Sequence, residues 1–355
     1  MHAALVYGPN DVRVEDVDEP ELVAGSVKIR IEWAGICGTD LMLYAYAPFA
    51  QFEHPLIREH GPHVLGHELS GYVTEVAPDV QGIAVGDLVT VQPNVEDGTC
   101  SACRRGEPNI CENLGFIGIH GGGGGFAEYI VAPAEKVFVL PEPFTPQTGA
   151  LVEFLSVAWH AVSVSGAGVG SSAFVVGAGP IGLALVLVLG AAGVEKIIVS
   201  ELSERRKALA AQLGAEVIDP RETDVEDYVG TQTNNAGVDV SFDASGIGTE
   251  TINVSLAALR NGGVSVVVAN FHEPVSVDLS TLMQTEKKIV GSLAYTRDDF
   301  ESVIAAVADR RIDPSILITT EISLGHLVDH GLAHLLTAEG RETDVKILVT
   351  PNKQD

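Results

Sequence analysis

The chain has 355 residues, 46% hydrophobic and 19% charged, which is more than one core usually holds and predicts two domains. Its 48 acidic residues against 21 basic ones give a formal net charge of -27, so the surface repels phosphate backbones and anionic membranes and argues against nucleic-acid or membrane partners. No basic segment precedes the apolar residues at the start, so no secretory signal is visible; the expected compartment is the cytoplasm, with reduced cysteines.

In chain order, the first part reads as β-rich. Within 26–33, Val27, Ile29, Ile31 and Trp33 alternate with Lys28, Arg30 and Glu32, the period-two pattern of a half-buried strand. Similar short strands are expected at 71–76, 87–91 and 126–131, punctuated by glycine, proline and aspartate. The segment 154–194 carries no Asp, Glu, Lys or Arg, and 173–194 is long enough to span a bilayer. Glycines 177, 179, 182, 190 and 193 and Pro180 interrupt it, so a buried strand followed by a buried helix is the expectation. From about Ser171 the rhythm becomes a β/α alternation, with strands expected at 173–176, 196–200, 238–242, 264–269 and 288–293. A helix is expected at 203–213, with Ser203 as N-cap and Gly214 as its stop. Strands alternating with helices imply a parallel, doubly wound sheet. A helix at 297–309 then leads to a strand at 345–350 that can return to the β-rich part.

Gly177-Ala178-Gly179-Pro180-Ile181-Gly182 follows an expected strand and opens an expected helix, where backbone amides can face a pyrophosphate. Glu201 lies 24 residues after Gly177, at the end of the next strand, and its carboxylate can accept from an adenosine ribose. That carboxylate repels a 2′-phosphate and favours NAD over NADP, while Arg205 and Arg206 blunt the argument.

Four cysteines fall into two patterns: Cys37 alone, and Cys100, Cys103 and Cys111 in one stretch with Asp97 before them. Cys37, His67, Glu68 and Glu153 form a chemically coherent zinc-ligand set; Glu153 is the single acid in an apolar stretch, and a buried carboxylate needs a partner. The second cluster can close a structural zinc site of three thiolates and one carboxylate, or remain an empty lobe of reduced thiols, or form a disulfide. His54, His60 and His63 crowd one loop but are given no metal role, and His120 is a candidate pocket residue.

These residues resemble the zinc-dependent medium-chain alcohol dehydrogenases, in particular the polyol branch that holds the sorbitol and (2R,3R)-2,3-butanediol dehydrogenases. The resemblance runs over nearly the whole chain: GICGTD at 35, GHELSG at 66, the 97–111 cluster, LGFIGIHGGGGGFAEY at 114, GALVEFLSVAWHA at 149, VGAGPIGL at 176 and GSLAYTRDDF at 291. It implies an α/β protein with a GroES-like β-rich catalytic domain (1–152 and 295–355) and a Rossmann NAD-binding domain (153–294), assembled as homodimers or homotetramers. It further implies a catalytic zinc on Cys37, His67 and Glu153 with Glu68 as an alternating ligand, and a structural zinc on Asp97, Cys100, Cys103 and Cys111. Thr39 takes the substrate proton, and Gly177, Gly179, Pro180, Ile181, Gly182, Glu201 and Arg206 bind NAD. The expected reaction is reversible oxidation of a vicinal diol or secondary alcohol to the hydroxyketone or ketone, best represented by butanediol and acetoin. The alternatives are a longer polyol, a simple secondary alcohol or threonine as substrate, and, from another class, a non-catalytic dinucleotide-binding protein. Two positions depart from the pattern: Asp97 replaces a cysteine, and Met42 stands where many relatives carry a proton-passing histidine. The relay then runs from Thr39 through the nicotinamide ribose and water, or through another histidine.

Overall fold

The computed structural model describes residues 1–47, 53–271 and 273–352. The chain divides into two units, one of Met1–Phe154, Thr296–Arg310 and Pro314–Asp355, the other of Leu155–Tyr295 and Arg311–Asp313.

In the first unit Ser26–Gly35 is the centre of a seven-stranded sheet. It pairs antiparallel with Glu68–Val76, with Tyr129–Pro133 and with Lys346–Thr350. Beyond these lie Leu88–Val91 and Val137–Val139 on one side and Ile318–Ser323 on the other. A smaller sheet joins Asp11–Asp16, His2–Gly8 and His63–Val64. Val27, Ile29 and Ile31 are fully buried, as the alternation predicts, but Lys28 is buried too. Its ammonium is tied to Glu19 at 2.6 Å and Glu75 at 3.3 Å and lies above the Tyr129 ring, and these groups cover it. A paired head group on an aliphatic stem can occupy such a place.

The strand expected at 126–131 begins later, at Tyr129. Phe126 instead donates its amide to Leu65 O and accepts from Ala4 N, locking the 121–126 glycine-rich loop against a different part of the unit. The strand at 345–350 is found as Lys346–Thr350, inserted between Ser26–Gly35 and Ile318–Ser323.

The second unit is a six-stranded, all-parallel sheet in the order Glu216–Ile218, Lys196–Ser200, Ser172–Val176, Val238–Asp243, Leu259–Val267, Lys288–Gly291. The strand Glu216–Ile218 has no counterpart among the sequence expectations; it is three residues long, too short to establish a period. The apolar run resolves into Ser172–Val176 and the helix Pro180–Ala191, with Leu183, Leu185, Val186, Val188 and Leu189 buried. Among the described residues no helix is long and apolar enough to cross a membrane. Helix Glu204–Gln212 is capped by the Ser203 hydroxyl, and Gly214 ends it at φ +93°.

Candidate metal and dinucleotide sites

Cys37 leaves the central strand of the first unit and caps helix Gly38–Tyr46, with its amide donating to Asp40 Oδ2 at 2.8 Å. His67 and Glu68 open the neighbouring strand, so the antiparallel register, which sets Gly35 opposite Glu68, brings the three together. One ligand atom from each of Cys37, His67 and Glu68 lies within 4.8 Å of the others. Glycine at position 35 is required, because a Cβ there would occupy the place of the Glu68 carboxylate.

Asp40 is fully buried, and its Oδ1 lies 3.6 Å from His67 Nδ1. That distance allows attraction but is too long for a hydrogen bond, and both atoms lack hydrogen-bond partners. Burial opposes charge on the His67 imidazole, but Asp40 and Cys37 outweigh it and set its pKa well above the ordinary value. The pocket thus favours a positive charge at this point, a demand a bound cation also meets. Thiolate, imidazole and carboxylate are zinc donors, and the set fits that ion.

Thr39 Oγ1 is 3.8 Å from Cys37 Sγ, and Met42 is partly exposed on the same helix. Glu153 is buried at the start of helix Val152–Ser165, but it is not a member of the 4.8 Å group. Glu68 is engaged on its far side: Lys346 Nζ donates to both of its oxygens at 2.8 Å and to Ile36 O at 3.3 Å, and lies 4.0 Å from the Phe154 ring centroid.

The second cluster is compact. Asp97, Cys100, Cys103 and Cys111 each bring a ligand atom within 4.8 Å of the others, around Gly98 at φ +66° and Gly106 at φ +81°. All four cysteines are free thiols, and the sulfurs of Cys100 and Cys111 are 3.8 Å apart, so there is no disulfide here. Amides of Asp97 and Asn113 donate to Cys111 Sγ, and that of Cys103 to Cys100 Sγ. Amides of Cys100 and Thr99 and the side chain of Asn113 hold the Asp97 carboxyl far below the usual carboxylate range. Desolvation, then the thiols of Cys100 and Cys111, push Cys103 up to about 12. Three adjacent sulfurs cannot all ionise without a cation among them, and the donor set fits zinc.

His54 and His120, with ring centroids 4.9 Å apart, lie near His63 of strand His63–Val64. His54 Nε2–H donates to Leu114 O and His63 Nε2 meets Ile119 O, while the Phe116 amide donates to His120 Nδ1. Burial, then the neighbouring His54 and His63, push the His120 imidazole down to about 4.

In the second unit, Gly177 turns at φ +89° after strand Ser172–Val176, and Gly179 caps helix Pro180–Ala191, which contains Ile181. Gly182 passes so close to Gly177 O that no Cβ fits, which lets the helix start pack tightly against the turn. Glu201 Oε2 accepts from Ala178 N at 2.7 Å, and Oε1 accepts from the amides of Leu202 and Ser203. The acid therefore pins the glycine-rich turn while its remaining lone pairs stay open to a ribose. Arg206 lies on the first turn of the next helix. Asp243, fully buried at the end of Val238–Asp243, accepts with Oδ1 from Ser245 N, Ser245 Oγ and Gly246 N, and its Oδ2 has no hydrogen-bond partner.

Asp40, Lys346 and Asp243 were not anticipated from sequence. Cys-Gly-Thr-Asp does have the spacing of a capping box and Asp-Ala-Ser-Gly that of an Asx turn, so two of the three carried a local signal.

Residues 23–142 match the alcohol dehydrogenase GroES-like domain, and residues 180–309 match the zinc-binding dehydrogenase family. The chain is 35% identical to the (R,R)-butanediol dehydrogenase of Bacillus subtilis over 99% of this chain and 100% of that protein. It is 32% identical to a sorbitol dehydrogenase of Arabidopsis thaliana over 89% of this chain and 86% of that one. The crystal structure of 2R,3R-butanediol dehydrogenase from Bacillus subtilis superposes with a TM-score of 0.92 at 35% identity, covering 99% of both chains.

Proposed function

This chain belongs to the zinc-binding alcohol dehydrogenase family and is an oxidoreductase acting on CH–OH donors, and from that premise we propose that it interconverts a vicinal diol and its hydroxyketone with NAD, 2,3-butanediol and acetoin being the pair. The observation that carries the reading is the convergence of Cys37, His67 and Glu68, with Asp40 behind the imidazole. Full-length similarity to butanediol dehydrogenases supports the substrate.

The first unit is the catalytic domain and the second the NAD domain, divided one or two residues from the expected boundaries and with Arg311–Asp313 in the second unit. Cys37 and His67 would hold the catalytic zinc with Glu153 as the third ligand and with Glu68, which converges on them and is bound from behind by Lys346, as the alternate ligand. The ion supplies Lewis-acid polarisation of the substrate oxygen, and NAD is the hydride acceptor. Asp40 orients His67 and balances its charge. Thr39 Oγ1 would accept the alcohol proton, and Met42 cannot carry it further; a bound NAD would supply ribose hydroxyls for that purpose. Gly177, Gly179, Pro180, Ile181 and Gly182 shape the pyrophosphate turn, Glu201 selects the unphosphorylated ribose, and Arg206 contacts the adenosine. Asp97, Cys100, Cys103 and Cys111 hold a structural zinc. Reduced ligand cysteines fit a cytoplasmic setting.

The chain assembles as a homodimer or homotetramer. Strand Lys288–Gly291 is an open sheet edge, with Ile289, Leu293 and, on the preceding helix, Met283 exposed, which suits pairing with a second copy.

Initial rates with NAD and NADP over butanediol stereoisomers, sorbitol, threonine and 2-butanol test the reading. Absence of turnover on every diol refutes it; preference for sorbitol would favour the longer-polyol alternative, which the sorbitol dehydrogenase relative supports. Metal analysis should return at least two zinc ions per chain, and Asp97→Ala should retain one fewer than the parent.

A further inference from the structure

The segment from Leu324 to Leu332 carries a side-chain cluster that neither site uses. Its first turn, Leu324–His326, is a 3-10 helix, and Leu327–Leu332 winds as a π-helix. The π form is rare and recurs at functional sites, because its wide turn re-aims side chains. Here it brings the rings of His326 and His330 together, with centroids 4.4 Å apart and planes 14° from parallel. Asp329 lies against both: Oδ1 is 3.5 Å from His326 Nδ1, and Oδ2 is 3.7 Å from His330 Nε2. Two ligands bound tetrahedrally to zinc at about 2.0–2.1 Å stand about 3.4 Å apart, so each imidazole nitrogen already lies near that distance from one oxygen of the carboxylate. One ligand atom from each of the three lies within 4.8 Å of the others.

The inward face of the segment is fixed. Leu327 and Leu332 are fully buried, and Gly331 sits where a Cβ would meet Ile36, the residue before Cys37. The outward face carries the ligands, with the side chains of Asp329 and His330 about three-fifths exposed. An ion can therefore reach them without repacking the core.

We propose that His326, Asp329 and His330 form a third metal site, which takes a divalent transition ion of the zinc class. Two imidazoles and one carboxylate suit zinc, nickel or copper and disfavour magnesium and calcium, which select all-oxygen sets. The net charge of -27 raises the concentration of any cation near this surface. A filled site clamps the outer side of the helix whose inner side backs the Cys37 loop. It acts on rigidity and leaves the chemistry to the other ligands.

The test is calorimetric titration of Zn2+ into the holoenzyme, its other zinc sites already filled, for the wild type, His330→Ala and Asp329→Asn. The wild type should take one further equivalent that excess Mg2+ does not displace. Both variants should bind it more than about tenfold more weakly, since even outer-shell partners are worth that much. kcat on the best diol should be unchanged in all three. The isosteric Asp329→Asn keeps the comparison sound should His330→Ala disturb the helix. No further equivalent in the wild type, or equal uptake by the wild type and both variants, overturns the proposal.

Discussion

Replacing Lys346 by methionine keeps most of the apolar stem and deletes one charge. In the wild type that ammonium makes two 2.8 Å bonds to Glu68 and one of 3.3 Å to Ile36 O, with the side chains of Lys346 and Glu68 2% and 0% exposed. Without it the carboxylate has no water to turn to, and breaking a buried pair from one side costs about 3–5 kcal/mol. Replacing both partners with apolar residues removes the stranded charge, so Glu68→Met with Lys346→Met should recover most of the loss, to within about 1 kcal/mol of the parent. The two tryptophans allow a clean assay: Trp33 lies in the first unit and Trp159 in the second. In a Trp159→Phe background, urea unfolding followed by fluorescence reports only the unit that holds the pair, which matters because the two units need not unfold together. A single variant within about 0.5 kcal/mol of the parent, or a double variant no better than the single, would refute the reasoning.

Cys37→Ala should lose one zinc equivalent and at least about a thousandfold in kcat/KM, because Lewis-acid stabilisation is worth several kcal/mol; retained activity would contradict the ligand assignment. Glu201→Ser removes the acceptor for Ala178, Leu202 and Ser203 amides and for a ribose, so KM for NAD should rise about tenfold or more while NADP gains relative to it. An unchanged NAD to NADP ratio would sink that role. His120, with its pKa depressed to about 4, folds as the neutral ring. Its stabilising contribution is complete above the ordinary histidine value of about 6.5 and is lost as pH falls from there towards about 4. The thermal midpoint should therefore drop less across that window in His120→Gln than in the wild type, and identical profiles would exclude the effect.

Much of this was legible in the sequence because the signals were local. The strand, glycine turn and helix of 172–191 lie within one continuous stretch, and Ser203 and Gly214 mark the next helix by their own chemistry. The lobe needs only a loop of fifteen residues to bring its ligands together, and the disulfide alternative for it falls to the free, 3.8 Å sulfur contact. Lys28 misled because alternation records which face a residue takes and says nothing of what covers that face. The 126–131 strand started late because Phe126 found partners in Leu65 and Ala4, remote in sequence. Lys346 carried no signal at all: a single lysine in a terminal strand reads as solvated until the sheet order sets it beside Glu68. The grouping of Glu68, rather than Glu153, with Cys37 and His67 likewise depends on the register between two strands.

That register also bears on how the molecule is made. Glu68 and the lysine that neutralises it are 278 positions apart, and the whole second unit is encoded between them. The parallel sheet can therefore fold on the ribosome while the strand that will complete the earlier sheet has yet to be synthesised. Through that interval the Ala34–Gly35 end of the central strand lacks a neighbour, although Tyr129–Pro133 already pairs with Ser26–Arg30, and Glu68 lacks its counter-charge. At about 5–20 residues per second the exposure lasts on the order of ten seconds or more, so the buried carboxylate and the strand end beside it wait for their partners throughout that part of translation.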